Sequence, residues 1–292
     1  MIEFLSLLTA VMYALSNIYV RKGLVFGSNS TTAATVSLFF TFIIFLGLLL
    51  VFFPTETPSV RAMFYYLAAG VLAPGLFRFF LYSAISRIGV AVTSISTNSF
   101  PLVASLIAIG FLNERLTLFK AVGMLFTMGA AFLAAPRSEK RIFDPGILTN
   151  VGFLLGITAA VVRGASEVLR KAGLIEFNDP ILGAAMGNAG GFLFSMALLA
   201  VSRSTRNSLT YQRTSFYYFF VSSIFVVAAW IIGFYALSYG DVVRVTPVVG
   251  TVPLLTVLLS ALLLRGLEQI TLRIVIASLL AAAGVAAIRL GS

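Results

Sequence analysis

Three charged side chains lie in the long apolar runs of this chain away from the residues that open each run, and their types limit the chemistry it can do: Arg78, Arg163 and Glu167. A lone Arg deep in an apolar segment costs about 2.5 to 3.5 kcal/mol on insertion scales, so Arg78 must face protein or water rather than lipid. Two roles are open to it. It can be a fixed positive charge for a carboxylate or other anionic group of a substrate, or it can bond helix carbonyls freed by the nearby Pro74. Arg163 and Glu167 stand four residues apart, on one helical face and within pairing reach. They read as an internal ion pair, or Glu167 reads as a protonatable coupling carboxylate. No His is present, so Asp and Glu are the remaining proton carriers of that kind.

A neutral polar set accompanies these charges. Thr93, Ser96 and Thr97 group on one helical face with Asn98 in the same patch. An amide is costly to leave in lipid, which favours a cavity-lining wall, although hydroxyls can also bond their own helix backbone. Ser16 and Asn17 with Tyr13, Tyr82, Ser166, Asn188, Trp230 and Tyr235 complete the candidate substrate-binding set. Together they describe an interior of mixed polarity suited to a small amphiphile. Pro101, Pro247 and Pro253 interrupt apolar runs, and proline removes a backbone donor and bends a helix. They are candidate hinges or fixed kinks.

These residues need elements that span a membrane. Of the 292 residues 60% are hydrophobic and 10% charged, and the mean hydropathy is +1.04, far too apolar for a soluble domain. The net charge of +10 comes from Lys and Arg scattered singly or in small groups between apolar runs. That is the pattern of membrane flanks and not of a nucleic-acid surface. There is no Cys, hence no disulfide or thiolate metal site. Neither metal nor cofactor is expected. The first run has Glu3 and no basic start, so it reads as a retained helix and not as a secretory signal.

A crossing takes about 20 apolar residues, and the punctuation of the chain divides it into ten such segments. They lie near 2–20, 31–53, 62–85, 89–112, 119–135, 147–169, 180–201, 215–237, 241–264 and 272–288. Two of them echo two others. Ser16 and Ser166 precede matching ends, Arg21-Lys22-Gly23 and Arg170-Lys171-Ala172-Gly173, while Pro101-Leu102 aligns with Pro253-Leu254. The chain therefore reads as a first repeat over 1–136, a charged linker over 137–146 and a second repeat over 147–292. With five segments per repeat, the second must enter the membrane from the opposite face. The fold expected is all-α and integral to the membrane, ten transmembrane helices as two inverted five-helix repeats around a central cavity. Gly183, Gly187 and Gly191 allow a close helix approach, within the chain or across a homodimer; a monomer is favoured. Lys and Arg are more numerous on the connections opposite the termini, which by the positive-inside rule favours an outside N-terminus.

Residues 101–129, with Asn113-Glu114-Arg115-Leu116, Gly123 and Gly129, resemble the EamA-type transporters of the drug/metabolite transporter superfamily, and so do residues 253–284 with Glu268 and Gly284. The second Glu turn departs by the two extra residues Arg265-Gly266. The resemblance implies pseudo-twofold symmetry, a central cavity, export of small metabolites, amino acids among them, and cytoplasmic termini in a bacterial inner membrane. The function expected is secondary export of amino acids, aromatic or otherwise hydrophobic ones included, by alternating access. A multidrug or organic-cation exporter is the alternative. No phosphate-binding loop or intramembrane catalytic pair is visible, so no enzyme is expected.

Overall fold

The computed structural model describes residues 1–52, 56–135, 150–263 and 271–291, and all its regular elements among these are helical. The first half holds α1 (Ile2–Val25), α2 (Ser30–Val51), α3 (Val60–Gly70), a wider π-helical segment (Val71–Leu76), α4 (Phe77–Thr97), α5 (Phe100–Leu112) and α6 (Leu118–Ala134). The second holds α7 (Val151–Glu176), α8 (Pro180–Val201), the short α9 (Arg203–Asn207), α10 (Arg213–Tyr239), α11 (Val242–Val249), α12 (Val252–Leu263) and α13 (Leu272–Leu290). The connection over 137–146 and the turn with Glu268 lie outside the described residues, as does the side chain of Tyr82.

Polar residues set the helix starts. Asn29 accepts the Thr32 N–H, Ser59 that of Ala62, Asn150 that of Gly152, and Asp179 those of Ile181 and Leu182 just ahead of Pro180. Each side chain satisfies donors that a helix start leaves unpaired. At the other end of α5 the chain turns at Asn113 with φ 56°, a conformation that Asn tolerates better than most residues.

Among the described residues, eight spans are long and apolar enough to cross a membrane, counting Val60–Ile88 and Val242–Leu263 as one span each; α5 and α6 are apolar but shorter. The ten segments read from the sequence thus correspond to eight of full length and two short ones. A 13-residue α5 is about 20 Å long, so it needs the end of α4 to complete a crossing. The chain does fold back there. Ala84 and Ser96 both approach within 4.0 Å of the point that a Cβ on Gly156 would occupy. A straight helix would set residues twelve apart about 18 Å apart. The chain therefore reverses between Ala84 and Ser96, within the range of α4.

The helix packing repeats itself. α1 lies along α10 as α7 lies along α3 and α4; α2 packs on α10 as α8 packs on α3; α11 and α12 cross α1 as α5 crosses α7. α2 with α8, α5 with α11, and α6 with α13 meet their own counterparts. Single residues obey the same relation: Gly23 faces the ring of Phe219, and Gly173 faces the ring of Tyr66. Direction is inverted between the halves. The start of α1 meets Gly240 at the end of α10, and Lys171 near the end of α7 bonds Leu237 and Gly240 carbonyls at 2.7 and 3.0 Å. The equivalent helices α1 and α7 hence run antiparallel. Thr117 donates to Gly291 at 3.1 Å beside the same end, which brings the end of α13 to the side where α1 begins.

In lipid, close van der Waals contact between small residues holds helices together. A Cβ on Gly123 would lie 2.5 Å from the Gly284 carbonyl oxygen, and one on Gly70 would run into that of Gly187. Gly183 and Gly191 face Phe234, Tyr66 and Pro74, so the glycine row of α8 is spent on packing inside the chain. Tyr66 fills the gap left by Gly173 and Gly183, is fully buried, and donates its hydroxyl to Phe177 at 2.6 Å.

Candidate functional site

Arg163, Glu167 and Arg170 stand at i, i+4 and i+7 on α7, which puts them on one face. That face looks into the bundle. The Arg170 guanidinium lies 4.2 Å from the Trp230 ring centroid and donates through Nη1 to both Glu167 carboxylate oxygens at 3.3 Å. Side-chain exposures of 10% and 12% leave this pair largely shielded from solvent. Glu167 therefore pairs through i+3 to Arg170, and the expected Arg163–Glu167 pair is replaced by a charge interaction without that bond. Arg163 instead lies over Phe100, 3.7 Å from its centroid, with Phe77 at 5.5 Å. Tyr13 on α1 faces the charges of all three.

A sequence-encoded break supplies another partner. A residue before proline is pushed out of the helical region, and Ala73, ahead of Pro74, takes φ −138° and ψ 119°. Its carbonyl leaves the helix ladder and accepts from Arg170 Nη2 at 3.3 Å and from Ser166 at 3.5 Å; Ser166 also donates to Ala69 at 2.8 Å. The carbonyl turned out by Pro74 thus goes to Arg170 and Ser166, whereas Arg78 donates to Ala34 on α2 at 2.9 Å. Arg170 Nε has no hydrogen-bond partner among the described residues. Burying ions costs several kcal/mol each unless they are paired; the aromatic faces offset part of that, up to about 2 kcal/mol for a desolvated cation. Two guanidiniums against one carboxylate leave one positive charge, which an anionic group would balance.

The other expected site residues are distributed. Trp230 belongs to the cluster. Ser16 bonds Ser222 across the α1–α10 seam at 2.8 Å, and Asn17 reaches Thr256 at 3.4 Å. Thr93, Ser96 and Thr97 are buried, and the hydroxyls of Ser96 and Thr97 bond carbonyls of their own helix. Asn98 Nδ2 and both polar atoms of the fully buried Asn188 have no partner among the described residues. Arg78 lines a separate cavity of about 310 Å³. Tyr235 lines an open groove with Glu176, Asn178 and Asp179 at the end of the bundle where α1 begins. Pro101 and Pro253 sit in the first turns of α5 and α12, where a missing N–H costs nothing. The breaks fall just before them, after Asn98-Ser99 and Gly250-Thr251, and Pro101 packs where a Cβ on Gly250 would lie, 3.1 Å away. Pro247 is inside α11.

Sequence reasoning passed over Arg170, because the pair Arg170-Lys171 resembles a membrane flank. Its spacing from Arg163 and Glu167 was the available signal.

A duplicated, inverted set of spanning helices with ionic groups held at its centre defines an integral, multi-pass membrane protein of the transporter class. The chain belongs to the EamA-like transporter family, whose model matches residues 1–135 and again 150–290. A solved structure titled "Crystal structure of protein" has the same fold, with a TM-score of 0.76 over 99% of this chain and 95% of that one, at 17% identity. No curated protein matches the chain.

Proposed function

We propose that the protein exports hydrophobic or aromatic amino acids by alternating access, as a secondary transporter of ten membrane helices with cytoplasmic termini in a bacterial inner membrane. The observation that carries this reading is the Arg163–Glu167–Arg170 face against Trp230 and Phe100. An amino acid presents a carboxylate, an ammonium and a side chain. The guanidiniums complement the first with charge-assisted, bidentate bonds, Glu167 complements the second, and the aromatic rings offer an apolar wall to the third.

In this reading substrate competes with Arg170 for Glu167, so binding opens the internal ion pair and loosens the hold of α7 on the Ala73 carbonyl. The breaks before Pro101 and Pro253 are where halves of the crossing helices tilt. Ser16 and Ser166 pin the seams, Thr93, Thr97 and Asn98 form the polar edge toward α5, and Asn188 supplies a buried amide within α8. Glu167 is neutralised by Arg170 in the resting pair, which fits exchange or weak proton coupling. An organic-cation exporter would use Glu167 alone against the rings, and the excess positive charge of the cluster works against it.

The test is counterflow by purified protein in proteoliposomes, with a panel of amino acids and organic cations, for wild type, Arg163→Lys and Glu167→Gln. Amino acid exchange that Arg163→Lys weakens is expected. Transport of cations alone, kept by Arg163→Lys and lost in Glu167→Gln, would replace this reading with the cation exporter.

A further inference from the structure

The cavity that contains Arg78 lies on the other side of its helix from the ionic cluster. Phe77, Ala84 and Ile88 meet α7 residues, while Gly75, Phe79 and Ser86, on the opposite helical face, line the cavity. Its other walls are α2 and the end of α8. α2 packs on α8 and α10, α4 packs on α7, and across the space between them Arg78 reaches the Ala34 carbonyl.

The lining is graded. Thr31, in the first turn of α2, Ser86 and Thr205 of α9 form the mouth at the bundle end; Pro74, Gly75 and Arg78 lie deeper. Arg78 is ten residues before Ile88, about 15 Å further in along the helix, and its long side chain can carry the charge back toward the mouth. Arg78 is the one charged side chain among the described lining residues, with Leu38, Phe194 and Leu198 as apolar walls. Phe79, which lines the cavity, is 51% exposed. A volume of about 310 Å³ is at the lower end of small-ligand sites, roughly 300 to 1,000 Å³.

We propose that this cavity binds the phosphate headgroup of an anionic membrane lipid, with Arg78 as the cationic floor, the hydroxyls of Thr31, Ser86 and Thr205 at the mouth, and acyl chains lying along the exposed face of Phe79. A guanidinium has five N–H donors, so a phosphate can be bound while the Ala34 bond is kept. A soluble phosphate offers the same charge without the apolar part. The lipid is favoured because the flanking walls are apolar and open to the bilayer.

Native mass spectrometry of the full-length protein, with phosphatidylglycerol or phosphatidylcholine added, tests the site. Inorganic phosphate is titrated separately by thermal shift. Wild type should retain phosphatidylglycerol over phosphatidylcholine by about tenfold or more, the scale of one charge-assisted contact. Arg78→Gln should remove that preference, Arg78→Lys should keep most of it, and Ser195→Phe, which fills the cavity from α8, should lower retention with Arg78 still present. Equal retention of the two lipids by wild type, or a preference unchanged in Ser195→Phe and in whichever Arg78 variants fold, would overturn the proposal. So would binding of inorganic phosphate with no lipid retained. Lipid retention is read without transport, so this outcome is independent of the proposed substrate.

Discussion

The carboxylate of Glu114, at the end of α5 in the first repeat, accepts the backbone N–H of Val242, the first residue of α11 in the second repeat, at 2.8 Å. Its other oxygen accepts from Val243 at 2.9 Å. The family-like Asn113-Glu114-Arg115-Leu116 turn is therefore a helix cap delivered across the repeat boundary, with negative charge where a helix start favours it. Lys171 and Asp241 bear on the same carboxyl, and Lys120 holds Asp241 at 3.3 Å. Glu114→Ala should lower stability by about 1 to 3 kcal/mol, since it leaves two donors unsatisfied, and Glu114→Gln should recover part of the loss. Thermal unfolding in detergent measures both.

Burial pushes the Glu114 carboxyl above the ordinary carboxylate range, against the two N–H bonds that pull it down. The folded protein thus holds this proton more tightly than the unfolded chain. The corresponding stability is fully present below the ordinary carboxylate range and is lost as pH rises through the raised value. A melting series across mildly acidic to neutral pH should show a decline for wild type that Glu114→Gln lacks. A parallel decline in both proteins would assign the effect to other groups.

The α6–α13 seam has no room for a methyl group. Gly123→Ala brings its Cβ to within 2.5 Å of the Gly284 carbonyl oxygen, backbone that cannot rotate away. A loss of about 1 to 3 kcal/mol is expected. Gly110 and Gly129 have nothing within 4 Å of an added Cβ, so Gly110→Ala and Gly129→Ala should match or exceed wild type in melting temperature.

Arg170→Lys keeps the charge but loses the planar stack on Trp230 and the forked bonds to Glu167 and Ala73. If the central cluster binds substrate, KM in the liposome assay should rise by about tenfold or more, the loss of roughly 1.4 kcal/mol. Expression and melting should change far less. An equal loss of both would mark Arg170 as a packing residue.

Asn188 offers the opposite test of a buried polar group. Its amide is fully buried without a partner among the described residues, and replacing such a group by an apolar one of similar shape is neutral or stabilising. Asn188→Leu should hold or raise the melting temperature by a few degrees. If transport falls at the same time, the amide contacts substrate during the cycle.

Composition alone determined that the chain lives in a membrane, because 60% hydrophobic residues in long runs leave no other solvent for it. Spacing determined the duplication. Ser16 with Ser166 and Pro101 with Pro253 occupy equivalent places because each half repeats the same helix breaks. The exact helix starts came with the structure: Asn29, Ser59, Asn150 and Asp179 cap helices whose bounds the apolar runs gave only approximately. What the sequence could not decide is which face of each helix meets which partner. Arg78 stands alone in an apolar run and Arg170 in a basic pair that reads as a membrane flank, yet the first reaches the Ala34 carbonyl beside a lateral cavity and the second stacks on Trp230 in the bundle interior. The difference arises because Pro74 bends one helix and the glycines of α8 draw it in, and only the assembled bundle brings residues some 60 to 100 positions apart within a few ångströms of each other.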